Sequence, residues 1–439
     1  MERVKLPRPG PDSLWRNGRF MKLWAGQTVS QVGTQVTLLA MPLVAILLLH
    51  ASAFEVGLLT AAEFAPFLIV GLPAGVWVDR LQRRPILIVS DVGRALTLGS
   101  IPLAQALHVL TLGQLYVVAF VSGVLTVFFD VAYQSYLPSL VERARLVEGN
   151  SKLEISRSGA QLAGPGIAGV LVQAVGAATA IVVDAVSYVV SVVFVSLIKG
   201  TEAPVDRTVP KRRMRTEIKE GLGYVFRHRL LRPIAACTAG ANLVDSMILA
   251  VIVLFAVRQL HMSPGLIGLT FAIGNIGAVV GAIFAGAISR RIGVGPTIVL
   301  GAVTFCLPAL LIPLAPAWAP IPFLATALTL IGLGGVVYNV NQVGLRQAIT
   351  PERMLGRMNA TMRFIVFGTL PVGAVIGGAL GGSIGLRPTL WIAAGLGCLA
   401  FLPVALSRVR SLKEIPELPV EHGVEPGPPT PPVPAAESA

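Results

Sequence analysis

Apolar runs of about 20 residues follow one another along most of this chain, the length an α-helix needs to cross the hydrocarbon core of a bilayer. Inside that core every backbone N–H and C=O must be paired within the protein, which leaves only helices and closed barrels. The short alternating pattern of a barrel strand is absent. Only 13% of the residues are charged, where a soluble domain has about a quarter. The fold class that follows is an all-α membrane protein.

Twelve spans are expected, at 22–49, 55–78, 86–108, 113–137, 152–174, 177–198, 232–257, 264–288, 295–314, 320–345, 359–381 and 387–407. The net charge of +13 raises the possibility of a nucleic-acid partner. The basic residues sit in short loops between apolar runs, so they read as topology signals, and no nucleic-acid partner is expected. Arg16, Arg19, Lys22, Arg80, Arg83, Arg84, Arg143, Arg145, Arg290, Arg291, Arg353, Arg357, Arg408, Arg410 and Lys413 fall on one side, and only Arg258 and Arg387 on the other. Lys/Arg bias places the first side, with both termini, in the cytoplasm. The chain is therefore expected in a bacterial inner membrane, among lipids, as a monomer.

The expected organisation is a leader over 1–21, a six-helix half over 22–198, a linker over 199–231, a second half over 232–413 and a Pro-rich, disordered tail over 414–439. The leader is basic and lacks a small-residue cleavage site, so the first run reads as a retained span. In the linker, Ile218, Leu222, Val225 and Phe226 recur near helical spacing among basic residues, which predicts an amphipathic helix on the anionic inner leaflet.

The two halves repeat. At a shift of ~211, "HASAFEVGLLT" falls on "HMSPGLIGLTF", Gly57 on Gly268, Gly75 on Gly286 and Arg80 on Arg291. At a shift of ~209, Leu146, Asn150 and Gly169 fall on Leu355, Asn359 and Gly378. Parallel six-plus-six repeats mark one large class of transporters, with the substrate site near the midplane between halves.

After the second run comes "GVWVDRLQRRP", in which Gly75, Asp79, Arg80, Arg83 and Arg84 have the spacing of the 2–3 loop signature of the major facilitator superfamily. The chain resembles that superfamily over about residues 14–410, and "GAISRRIG" is a degraded second copy. On span 5, "GAQLAGPGIAG" (Gly159, Gly164, Pro165, Gly166, Gly169) resembles the Gly-Pro motif of the antiporter branch. "FFDVAYQSYLPSLV", "LVEGN" and "DAVSYVVS" resemble the branch of enterobactin exporters and macrolide efflux proteins. The resemblance implies two pseudo-symmetric six-helix halves and export of bulky amphipathic molecules. It also implies that Asp79 faces the cytoplasmic N-terminus of span 11 near Asn359 when the cytoplasmic side is closed. The small residues of span 5 favour close helix packing, read as a tight seam between spans 2 and 5. One departure is that many drug–proton antiporters carry an Arg on span 4, and "VVAFVSGVLT" has none.

Ionisable groups within spans point to function. Asp91 with Arg94, and Glu154 with Arg157, stand at i, i+3 and are expected to pair; Arg363 stands near a helix start. Glu63, Asp130, Asp184 and Asp245 have no obvious local partner and are candidates to carry a proton or hold a cationic substrate, Glu63 and Asp245 first. A polar stripe on span 1 (Gln27, Ser30, Gln31, Thr34, Gln35), with Asn242 on span 7 and Tyr338, Asn339, Asn341 and Gln342 on span 10, is expected to line a central cavity. Phe64, Phe67, Tyr133 and Tyr188 would add apolar contact.

No Walker A run, H-E-x-x-H or G-x-S-x-G motif occurs, which argues against an ATP-driven pump and against an enzyme. Cys237, Cys306 and Cys398 all lie in apolar runs without metal or disulfide spacing, and no metal or cofactor is expected. The expected function is proton-coupled efflux of amphipathic small molecules by alternating access. Uptake, lipid movement and a non-transporting sensor are the alternatives.

Overall fold

The structure is a computed structural model that describes residues 14–78, 81–142, 145–198 and 214–414. The helices in chain order are α1 (Gly18–Leu47), α2 (Ala53–Ile69), α3 (Gly71–Val78), α4 (Arg83–Ala106), α5 (Leu112–Leu140), α6 (Leu146–Val175), α7 (Ala177–Ser196) and α8 (Met214–Arg227). They continue as α9 (Leu231–Arg258), α10 (Pro264–Ile292), α11 (Val294–Cys306), α12 (Leu311–Leu314), α13 (Pro320–Ala348), α14 (Glu352–Ser383), α15 (Leu386–Ala400) and α16 (Leu402–Ala405). No strand occurs among the described residues.

Ten segments among the described residues are long and apolar enough to cross a membrane. Two of the expected spans fall outside that set for different reasons. The run 55–78 is broken at Val70 into α2 and α3. Pro66 inside α2 and Pro73 in α3 each lack the N–H that would donate to the preceding turn. α6 is unbroken over 30 residues but carries Glu148, Lys152, Glu154 and Arg157 in its first half. That half faces the interior cavity described below, where charge is tolerated.

The turns place the helices. At one end of the bundle, His50 and His261 both take a left-handed backbone, φ 53° and 51°. After each, a serine caps the next helix: Ser52 accepts from Glu55 N–H and Ser263 from Leu266 N–H. The closing hydrogen bonds match too, Ala51 N–H to Ala45 O at 2.9 Å and Met262 N–H to Ala256 O at 3.0 Å. Gly176 and Gly385 share a second geometry, φ 86° and 93°, that a side chain rarely adopts. This is the hairpin end; the opposite, terminus end carries residues 14–17 and 407–414.

In lipid there is no hydrophobic drive between helices, so close backbone packing does the work. At the hairpin end Gly57 of α2 meets Gly378 of α14, and Gly169 of α6 meets Gly268 of α10. A methyl on Gly57 would lie 2.7 Å from the Gly378 Cα, and one on Gly268 the same distance from the Gly169 Cα. Gln173 extends the second seam, accepting from Gly265 N–H at 3.0 Å. Toward the terminus end the seams part. α3 leaves α14 to pack on α5, and Cβ atoms at Gly71, Gly75 and Gly159 would meet nothing.

The two basic residues on the sparse side each have a defined partner at the hairpin end. Arg258, ending α9, donates to Ala51 O at 2.8 Å, across to the turn between α1 and α2. Arg387 donates to Ala315 O at 3.1 Å. At the terminus end Arg84 donates to Ser196 O at 2.6 Å and Lys22 to Leu197 O at 2.8 Å, so both cover the carbonyl end of α7. The linker helix α8 packs on α14 and α9. Val225 is fully buried, Glu220 pairs with Arg357, and Phe226 stays exposed.

Replacing Gly57 or Gly268 by alanine forces backbone apart and is expected to cost about 1–3 kcal/mol, as overpacking does. Gly159→Ala, in open space, is expected to change nothing. Thermal unfolding of the detergent-purified variants, read by size-exclusion fluorescence, checks the contrast; equal melting of all three would refute the seam.

Candidate functional site

A cavity of about 820 Å³ lies inside the bundle, walled by α1, α2, α4, α5, α6 and α7. The whole polar stripe of α1, from Gln27 to Gln35, faces it. Helical spacing puts these residues on one face, and the neighbouring helices leave that face uncovered. Phe64, Phe67, Tyr133 and Tyr188 line the same space. Thr34 Oγ1 and the Tyr188 hydroxyl are hydrogen-bonded at 3.0 Å, tying α1 to α7.

Arg94 is the most elaborately held group in the wall. It is only 5% exposed, and its guanidinium pairs with the fully buried Asp91 one turn earlier on α4. It lies between two aromatic faces, 4.3 Å from the Phe129 ring centroid and 4.2 Å from that of Tyr188. Stacking of this kind suits the planar, weakly hydrated guanidinium. Asp184, 1% exposed, accepts from Thr37 Oγ1 at 2.5 Å and Ser187 Oγ at 3.1 Å. Gly33 leaves the room for that carboxylate beside α1. Glu63 lines the cavity and, among the described residues, has no hydrogen bond or ion pair.

On α6 the lining residues include Asn150, Glu154, Arg157 and Gln161. Their spacing of four, three and four marks one helical face, a signal legible in the sequence but not used to place the cavity. Glu154 and Arg157 form no ion pair among the described residues, contrary to the expected i, i+3 pairing; both point into the open space. The sequence marks Arg94 only as a paired charge, because its aromatic sandwich depends on rings from two other helices.

Asp130 and Phe67 also wall a smaller cavity, of about 260 Å³, toward α14. Its far side holds Gly356, Asn359, Arg363 and Phe367. Phe67 and Phe367 stack across it with centroids 4.9 Å apart and planes at 18°. Asp130 lies in the field of Arg94, Arg157 and Arg363.

Other expected residues lie elsewhere. Asp79 and Arg80 fall outside the described residues, as do 199–213 of the linker and the tail beyond 414. Of the rest of that motif, Arg84 covers the end of α7 and Gly75 faces open space. Asp245 is exposed on α9 and lines neither cavity. Asn242, Tyr338 and Asn341 do not line the large cavity either. Asn242 and Asn341 donate to the carbonyls of Thr238 and Val337 one turn back on their own helices, and the buried Tyr338 hydroxyl bonds Thr238 Oγ1 at 2.8 Å. In the same half, α10 packs closely on α13 through Gly274, Gly277 and Gly281. The Gly-Pro motif does not seam spans 2 and 5. Gly164 packs on Gln35 of α1, and Pro165 and Gly169 pack on Gly268 of α10. Small residues permit close approach but do not name the partner.

Residues 11–429 match the protein family described as transmembrane secretion effector, MFS_3. The chain belongs to that family. It is thus a transporter of the major facilitator superfamily's efflux branch and not an enzyme. Among relatives of this family, the multidrug efflux pump Tap of Mycolicibacterium fortuitum is 26% identical over 90% of this chain and 98% of its own length. The enterobactin exporter EntS of Citrobacter koseri is 25% identical over 90% and 92%. The nucleoside transporter NupG has the same fold, with a TM-score of 0.71 at 11% identity over 88% of this chain and 98% of that one. A bacterial homologue of the iron transporter ferroportin, in an inward-facing state, gives 0.70 at 15% over 90% and 99%. The family places the protein across the bacterial inner membrane as a multi-pass chain.

Removing one partner of a buried ion pair leaves a charge stranded and costs about 3–5 kcal/mol, whereas replacing both by apolar groups is often neutral. Asp91→Leu alone is therefore expected to abolish folded yield, and Asp91→Leu with Arg94→Met to restore most of it. Monodisperse protein recovered per unit membrane measures both.

Proposed function

We propose that the protein is a secondary transporter that exports amphipathic small molecules in exchange for protons. Its main support is the large cavity, polar on its α1 and α6 walls and aromatic between them, beside helix seams that are tight at one end only. A bundle held shut at one end and parted at the other is what alternating access requires of each of its end states. The printed functions of Tap and EntS, multidrug efflux and enterobactin export, favour export and bulky cargo.

In this reading α2 with α3 forms one span and α6 another, which brings the ten apolar segments to twelve. The halves are residues 22–198 and 232–413, joined by a linker whose helix α8 rides on α14. The terminus end, rich in arginine, is cytoplasmic. Asp79, one residue past α3, would approach α14 near Asn359, about two turns inside that helix, when the cytoplasmic side closes. Glu63, Asp130, Asp184 and Asp245 are the carboxylates available to carry protons. Asp184 already has two hydroxyl donors and Asp245 lines neither cavity, so Glu63 is the better placed.

Purified protein in liposomes, given an imposed pH gradient and a panel of amphipathic compounds, tests the proposal. Gradient-driven flux that disappears in Asp245→Asn or Glu63→Gln is the expected result. Flux indifferent to the gradient would remove the coupling, and no flux of any compound through folded protein would leave a sensor. Separately, Asp79→Asn is expected to lower flux at equal protein level; unchanged flux would make the residue a topology anchor only.

A further inference from the structure

The protein carries a net charge of +13, yet its large cavity is acidic. Four carboxylates line it, from Glu63, Asp130, Glu154 and Asp184, against the two guanidiniums of Arg94 and Arg157. One of those guanidiniums is already neutralised by Asp91 behind the wall. Of the carboxylates, Asp130 lies in the field of three arginines and Asp184 is satisfied by Thr37 and Ser187. Glu63 and Glu154 have neither an ion pair nor a hydrogen bond among the described residues; Glu154 is exposed, whereas Glu63 is half-buried beside the aromatic wall of α2. An unpaired carboxylate in a partly dry site is costly, and a cation from outside is the partner that would remove the cost.

The walls fit an amphipathic body around such a cation. Phe64 and Phe67 stand on α2 with Glu63, one and four residues on, and Tyr133 faces the same space. Ring faces attract cations and cover apolar surface at once. Two buried donors on the wall also lack partners, Gln27 Nε2 and Arg94 Nε. Both residues are 5% exposed, and both line the cavity.

We propose that this cavity, within the first half alone, is a binding site for amphipathic cations, with Glu63 the residue that selects for positive charge. The site rests on the export reading above and names its substrate class.

The matched ions tetraphenylphosphonium and tetraphenylborate have one shape and opposite charge. Calorimetric titration of each into the full-length protein in nanodiscs, corrected against empty nanodiscs, reads the charge preference directly. Saturable binding of the phosphonium, well above that of the borate, is expected of the unaltered protein. Glu63→Gln is expected to weaken phosphonium binding by roughly tenfold or more, with Glu63→Asp retaining part of it. Borate binding as tight as phosphonium binding overturns the proposal without any variant. So does a Glu63→Gln protein, monodisperse on gel filtration, whose phosphonium affinity stays within about twofold. Binding is read without flux. A protein that binds the cation but moves nothing in liposomes therefore defeats export and leaves the site standing. Transport of neutral compounds with no preference for the phosphonium defeats the site alone.

Discussion

Backbone contact between glycines is the interaction on which this architecture depends. Lipid tails are as apolar as leucine, so helices in a bilayer gain little by hiding side chains from them. What remains is dispersion between surfaces close enough to touch. Gly57 against Gly378 and Gly169 against Gly268 bring two helix pairs to that distance at the hairpin end. Arg258 and Gln173 add hydrogen bonds between the turns and helices on the same side. Because the contacts are confined to one end, the helices part at the other, and the cavity exists in the space they leave.

That cavity explains how a membrane helix can be as polar as α6. Glu154, Arg157 and Gln161 would be expensive against hydrocarbon but line an interior space. The same logic separates the buried charges by role. Asp91 and Arg94 satisfy each other, and the guanidinium is further held by two rings. Asp184 is held by hydroxyls from its own helix and from α1. Glu63 and the more exposed Glu154 are left over, and an unsatisfied group in a cavity wall is where a ligand has most to contribute.

Punctuation was the most legible part of the sequence. The repeat aligned His50 with His261 and Ser52 with Ser263, and both turns have the same backbone geometry and caps. Turn chemistry is local, so it survives as residue identity. The polar face of α1 was legible for a similar reason, since helical period alone decides which side chains share a face. The partners of a face are another matter. Asn242, Tyr338 and Asn341 looked equally suited to a cavity, but none of them lines the large one, and each bonds within its own bundle. The Gly-Pro motif likewise announced close packing without saying against which helix.

The sequence by itself determined that the chain is helical and crosses a membrane, where its turns fall, which residues share a face and which are charged within the apolar runs. These follow from short-range rules: hydrocarbon forbids unpaired backbone, a helix repeats every 3.6 residues, and serine and glycine suit particular backbone angles. Only the tertiary structure decided which of the internal charges are paired, that the cavity lies in the first half, and that the glycine seams hold one end of the bundle and not the other. Those outcomes depend on contacts between residues far apart in the chain, such as Gly57 with Gly378 and Thr37 with Asp184. Small residues and lone carboxylates can meet many partners, and packing the whole bundle chooses among them.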